Sequence, residues 1–283
     1  MNEQTNTLSP GDFGRLCKLI YEQSGIHLTE EKKVMLEGRL KRRMAHFDLA
    51  SYRDYCEYLF GGQDQEEIIH LIDAVTTNKT DFFREKKHFD YLAASLLPEF
   101  MRQMASRRPL LIWSAGCSTG EEPYTLAMVL KEFASTHPGF RFRILATDIS
   151  TAVLAKAERA VFSAEAIQPV APELRRKYFL HSRDRENHLV RVVPELRRMI
   201  EFRRLNLMEE FGFSDLADAI FCRNVVIYFD RPTQEQLFRR LCQQLVEGGH
   251  LFVGHSESLH QMDVPLVPVA PALYRKQHGR RGH

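Results

Sequence analysis

At Arg108 the hydrophobic pattern of this chain changes period. Pro109 is followed by the short apolar run Leu110-Leu111-Ile112-Trp113, a glycine-bearing turn, and a helical pattern through Phe133. A second run, Phe140 to Thr147, ends at Asp148 and leads into a helix over Thr151 to Arg159. Strand, helix, strand is the rhythm of a parallel sheet covered by helices, which places this part of the chain in the α/β class. The rhythm resumes with Asp218 to Cys222 as a buried strand, Thr233 to Val246 as a helix, Gly248 to Gly254 as another strand and Pro268 to Arg275 as a final edge strand. Between the halves, at about 160-204, the runs Tyr178 to His181 and His188 to Val193 flank a turn-prone Arg183-Asp184-Arg185-Glu186-Asn187, the pattern of a small antiparallel β insert.

The first hundred residues instead repeat at helical spacing. Phe13, Leu16, Ile20 and Ser24 share one face before Gly25, which is placed to end a helix. In the next helix Thr29 is positioned as an N-cap, Glu30 and Glu31 favour the helix dipole, and Val34, Leu36, Leu40 and Met44 supply apolar surface. Its other face is basic, with Lys32, Lys33, Arg39, Lys41, Arg42 and Arg43 opposed in that span by Glu37 alone. Further helices are expected over Ser51 to Phe60, Glu66 to Val75 and Glu85 to Met104, the last kinked or broken at Pro98. The expected organisation is therefore an all-helical domain over 1-75, a linker and linking helix over 76-108, and an α/β domain over 109-283.

Composition excludes several classes. Hydrophobic residues make up 44% and charged residues 27% of 283, as in ordinary globular proteins, and the longest apolar runs fall far short of the ~20 residues a membrane-spanning helix needs. The amino terminus lacks a basic segment followed by an apolar one, so a cytoplasmic protein is expected. Five scattered cysteines with no C-x-x-C pair argue against a disulfide framework or structural zinc, and no metal is expected. A net charge of +2 is too balanced to imply nucleic-acid binding by the whole chain.

The loop Gly116-Cys117-Ser118-Thr119-Gly120 admits two readings. As G-x-S-x-G between strand and helix it matches a hydrolase nucleophile elbow, with Ser118 as nucleophile, Asp148 or Asp230 as acid and His255 as base. The hundred helical residues before it argue against that fold. As a ligand cradle, its glycines admit close backbone approach, and the acid ending the next strand, Asp148, bonds a ribose. Glu121 and Glu122 disfavour a pyrophosphate and suit a cationic ligand; S-adenosylmethionine has a ribose, a sulfonium and an ammonium group. Local sequence also permits plainer roles: turn and cap residues at Asn78 and Thr80, a helix cap at Asp148, a surface ion pair at Arg84, a satisfied structural His255.

Four segments together carry a more specific signal: Thr76-Thr77-Asn78-Lys79-Thr80-Asp81-Phe82-Phe83-Arg84-Glu85, Trp113 to Tyr124 around the loop, Phe221-Cys222-Arg223-Asn224-Val225-Val226-Ile227-Tyr228-Phe229-Asp230, and Gly254-His255-Ser256-Glu257. In order and spacing they resemble the chemoreceptor glutamate methyltransferase (CheR) family, over about residues 10 to 275. The resemblance implies a Rossmann-like, seven-stranded S-adenosylmethionine-dependent methyltransferase domain with a small antiparallel β insert, preceded by a small all-α domain. It implies cofactor contacts from Asn78, Thr80, Arg84, Gly116, Gly120, Glu121, Asp148, Asn206, Leu207, Arg223 and Asn224, with Glu121 ranked above Glu122 at the methionine end. The implied reaction carries the methyl group to glutamate side chains of the cytoplasmic signalling domain of chemotaxis receptors, leaving S-adenosylhomocysteine. Arg84 and Tyr228 are the candidates for orienting the incoming carboxylate, Lys41, Arg42 and Arg43 for docking the receptor. The insert is where some family members bind a receptor C-terminal peptide. A monomer is expected. A non-catalytic sensor or scaffold holding the cofactor or its product is the alternative from another class.

Overall fold

Helices in the amino-terminal part begin where the sequence offers a cap. In the computed structural model, which describes residues 7–62, 65–76, 78–104, 108–182 and 188–277, α1 spans Pro10–Ser24, with the Ser9 hydroxyl accepting from the Asp12 amide and Gly25 closing the helix in the left-handed conformation. Thr77, the turn at 183–187 and the polar tail from His278 lie outside the described residues. A 3-10 turn at Glu30–Lys32 leads into α2 (Lys33–His46), and the Thr29 side chain makes no capping hydrogen bond. A reciprocal Ser51/Asp54 capping box starts α3 (Tyr52–Gly61), followed by α4 (Gln65–Val75). Leu16, Ile20, Leu36, Leu40, Tyr55 and Leu71 form the buried centre of this helical part. Val34 does not join it; at 77% exposure it stands on the solvent side of α2.

The single helix expected over Glu85 to Met104 is three consecutive pieces: α5 (Lys87–Tyr91), a π turn over Leu92–Leu96, and α6 (Leu97–Met104). Pro98 has no amide to donate, and its ring crowds the carbonyl four residues back. The widened turn just ahead of it, where the Leu97 amide reaches the Leu92 carbonyl, accommodates both.

From here the strands follow: β1 (Leu110–Ala115), α7 (Glu121–Thr136), β2 (Phe142–Asp148) and α8 (Thr151–Arg159). Then come β3 (Val161–Ser163), α9 (Pro172–Tyr178), β4 (Phe179–His181), β5 (Leu189–Val192), α10 (Pro194–Arg197) and β6 (Ile200–Arg204). The chain ends with β7 (Ala217–Phe221), α11 (Arg231–Gln243), β8 (Leu245–Phe252), β9 (Leu266–Ala270) and β10 (Leu273–Lys276). The seven-stranded sheet has the order β6-β2-β1-β7-β8-β10-β9. Its first five strands pair in parallel, and β10 alone runs the other way, antiparallel to both β8 and β9. A separate antiparallel sheet, β3-β5-β4, is the expected insert.

Three boundaries differ from the sequence reading. Ile200 to Arg204 is not insert but the edge strand β6, paired in parallel with β2. Leu245 and Val246 leave the helix for β8, because Leu245 pairs with Ala217 and is fully buried. Pro268 to Arg275 is two strands turning at Ala272 (φ 57), with β9 at the edge, where Pro268 costs no ladder hydrogen bond.

Candidate functional site

Chain order reverses beside β1, which runs to β2 and β6 on one side and has β7 on the other. Such a switch point leaves a crevice outside the carboxyl ends of the strands. A cavity lies there, lined by Gly116 after β1, Asp148 ending β2, Leu205 to Leu207 after β6 and Arg223 to Val225 after β7. It is also lined by Ser118, Glu122 and Ile149, by Asn78 to Asp81 and Arg84 of the linker, by Tyr228 and Phe229, and by Ser24, Ile26, Val75 and Thr76 from the helical part.

The loop after β1 needs its glycines for different reasons. Gly116 has φ 83, and a Cβ there would fall 2.4 Å from Val225 Cγ2 on the opposite wall. Gly120 has φ 103, and its Cβ would meet Ala157 at 3.0 Å, so it serves α7–α8 packing and is not among the lining residues. Asp148 is held by the amides of Ser118 (2.8 Å) and Ser150 (3.0 Å). Burial pushes its carboxyl above the ordinary aspartate range, against the pull of these amides.

At the start of α7 the two acids part company. Glu122 lines the cavity and accepts from Ser114 (2.7 Å) and Arg223 (2.9 Å), whereas Glu121 is buried, accepts from the Thr119 hydroxyl (2.6 Å) and is absent from the lining. The sequence ranks Glu121 first, whereas the cavity lining carries Glu122, because one residue rotates a helical side chain by about 100°. Burial pushes both carboxyls up.

Arg223 lines the cavity, but its head is committed. It bridges Glu122 and Glu85 (3.0 Å) and donates to the Arg84 carbonyl, with its side chain 2% exposed. Burial pushes the Glu85 carboxyl up, yet the charge and hydrogen bond of Arg223 outweigh it and hold Glu85 below the ordinary range. Asn224, at φ 59, is fixed by Glu257, whose buried carboxylate accepts from the amides of Gly254, Asn224 (2.9 Å) and Val226 (2.9 Å). In the sequence Glu257 stands out only as part of the Gly254-His255-Ser256-Glu257 segment; its role in shaping this wall leaves no sequence signal, because its partners are backbone amides.

Asn78, Thr80 and Arg84 line the cavity; Asn78 accepts at its carbonyl from Ser118 Oγ (3.0 Å) and Arg84 donates to the Lys79 carbonyl (2.9 Å). Asn206 lines it too, while its amide donates to the Gln23 carbonyl (2.7 Å) of α1, with Leu207 alongside. Tyr228 reaches the cavity from a 3-10 turn, and its carbonyl accepts from the His27 amide. Phe82 packs between Phe162 and Phe179 of the insert.

The hydrolase triad is not assembled. The Ser118 hydroxyl serves the Asn78 carbonyl, Asp148 accepts from backbone amides, Asp230 caps α11 and accepts from Tyr21, and His255 sits beside Glu85 and His88. The basic face of α2 is also smaller than expected. Arg43 pairs with the fully buried Glu67, and Arg39 donates to the Val75 and Thr76 carbonyls, so both are spent inside the protein. Lys41 and Arg42 remain exposed.

Comparison with known families agrees with this geometry. Residues 11–76 match the "CheR methyltransferase, all-alpha domain" and residues 78–269 the "CheR methyltransferase, SAM binding domain". The chain belongs to the CheR methyltransferase family. Among curated CheR relatives, the chemotaxis protein methyltransferase of Borreliella burgdorferi is 37% identical, covering 95% of each chain. That of Salmonella typhimurium is 39% identical over 92% of this chain and 88% of the relative. Chemotaxis protein methyltransferase 2 of Pseudomonas aeruginosa is 40% identical over 93% and 92%. Among the described residues no helix is long and apolar enough to cross a membrane.

Proposed function

We propose that the protein transfers the methyl group of S-adenosylmethionine to glutamate carboxylates of chemotaxis receptors, forming γ-methyl esters. The observation that carries this reading is Asp148: a buried carboxylate at the end of β2, pre-held by two amides and facing the crevice at the switch point. The residues present fit the cofactor. Asp148 would accept from the ribose hydroxyls, Asn206 and Leu207 would flank the adenine, and Arg84 would meet the methionyl carboxylate, with the acidic start of α7 favouring the ammonium. When bound, S-adenosylmethionine supplies a methyl group made electrophilic by its sulfonium.

The chain need supply no strong base, because a glutamate carboxylate (pKa about 4.3) is ionised at neutral pH. Its own task is to bind, align and exclude water. Asn78, Thr80 and Arg84 close one wall over the cavity, and Tyr228 with Arg84 orients the incoming carboxylate. Tyr228→Phe and Arg84→Ala are expected to lower turnover at saturating cofactor by about 10- to 100-fold each, an effect equal to one lost hydrogen bond to a charged group. Wild-type turnover in both removes the assignment.

Asp148 gives the site a pH dependence with a definite sign. The ionised form accepts from a diol, and its pKa is raised by burial, so cofactor affinity is full above the raised value and falls as pH drops through it. The stability contribution runs the other way, being present below the unfolded pKa and lost as pH rises through the folded one. Calorimetry with S-adenosylhomocysteine, from about pH 7.5 down to about pH 4, the ordinary aspartate value, is expected to show affinity falling while circular dichroism stays native; a flat profile contradicts the role.

Receptor docking is assigned to Lys41 and Arg42, without Arg43. The charge-reversed pair Lys41→Glu/Arg42→Glu should slow receptor methylation several-fold at low salt, with cofactor affinity unchanged. An equal loss of both, or of neither, overturns it. The reading extends to a cytoplasmic, monomeric enzyme, with the edge of the β3-β5-β4 sheet able to take a receptor C-terminal peptide as an added strand.

A further inference from the structure

Beside the cavity, on the far side of Arg223, three side chains from distant parts of the chain converge. Glu85 comes from the linker, His88 from the first turn of α5 and His255 from the loop after β8; one ligating atom of each lies within 4.8 Å of the others. His88 is 3% exposed, and the one hydrogen-bond acceptor its ring finds among the described residues is the Pro271 carbonyl, so at least one ring nitrogen has no partner. A buried imidazole with an idle ring nitrogen is costly unless something meets it. Its Nδ1 stands 3.5 Å from Glu85 Oε2, and its ring centroid 5.4 Å from that of His255.

We propose that Glu85, His88 and His255 bind one divalent transition-metal ion of the zinc or cobalt type. Two imidazole nitrogens and a carboxylate oxygen are the ligands such ions take, with a fourth position left for water. Ligand atoms about 2.0–2.1 Å from a tetrahedral ion stand about 3.4 Å apart. His88 and Glu85 are already at that separation, and the exposed His255 side chain closes the rest by rotation. The local charge agrees. Glu85 and Glu122 share one guanidinium, that of Arg223, so with both histidines neutral the cluster carries one uncompensated negative charge for a dication to meet. The ion would join the linker to the loop after β8, on either side of the Arg223 bridge. The site adds to the transfer reaction and is not a step in it.

The metal-free full-length protein is titrated with Co2+. One equivalent is expected to give a visible d–d absorption without thiolate charge transfer, displaced by Zn2+, and to raise Tm because the ion binds only the folded state. His255→Ala, at an exposed position, should lose both responses, and His88→Gln, checked for native secondary structure, should lose them too. Absence of the band in the wild type, or its full retention in His255→Ala, overturns the proposal.

Discussion

Asp148→Ala is expected to weaken S-adenosylmethionine and S-adenosylhomocysteine binding by about 100-fold or more. A carboxylate accepting from both ribose hydroxyls makes two charge-assisted hydrogen bonds, each contributing about 1.5–3 kcal/mol. The truncation also frees the amides of Ser118 and Ser150, which Asp148 holds at 2.8 and 3.0 Å, so the loop after β1 loses its anchor to β2. Asp148→Asn separates the two effects. An amide keeps one acceptor oxygen and the side-chain shape, so it should retain much of the fold's stability while still losing most of the affinity. Calorimetry with both variants, alongside urea unfolding, distinguishes them, and wild-type affinity in Asp148→Ala contradicts the site.

Arg223→Met is expected to cost about 3–5 kcal/mol of stability, because removing one partner of a buried ion network strands the others. Glu85 and Glu122 have side chains only 13% and 12% exposed, and the guanidinium reaches both. Arg223→Lys keeps the charge but cannot fork between two carboxylates and should fall between wild type and Met. The loss should shrink when Glu85→Gln is added, since one stranded charge is then removed. Urea midpoints for the four proteins measure this; a loss below about 1 kcal/mol for Arg223→Met would show that the network contributes little.

The parts of this site that were legible in the sequence are those fixed by local pattern. The run from Leu110, the turn at Gly116 and the acid after Thr147 place a ligand at the strand ends without knowledge of strand order. What was not legible depends on partners far along the chain. Arg43 reads as a surface charge until α4 brings Glu67 against it, and Arg39 until the 75–76 backbone arrives. Ile200 to Arg204 resembles more of the insert, because an edge strand exposed on one face has the same alternation as a small antiparallel sheet. Glu121 and Glu122 cannot be told apart by spacing, since helix rotation at the amino end of α7 decides which meets Arg223 and the cavity. Pairing of His88 with His255 is equally silent in the sequence, because β8 and α5 come together only through the sheet's packing.

The most direct test of the account is transfer of tritium-labelled methyl groups from S-adenosylmethionine onto receptor-containing membranes, followed by alkaline hydrolysis. The predicted result is label on the receptor, released by alkali as volatile methanol because a γ-glutamyl ester is cleaved there, and absent with Asp148→Ala. Label that resists alkali, or no transfer by folded protein that binds the cofactor, would contradict esterification of receptor glutamates at this site.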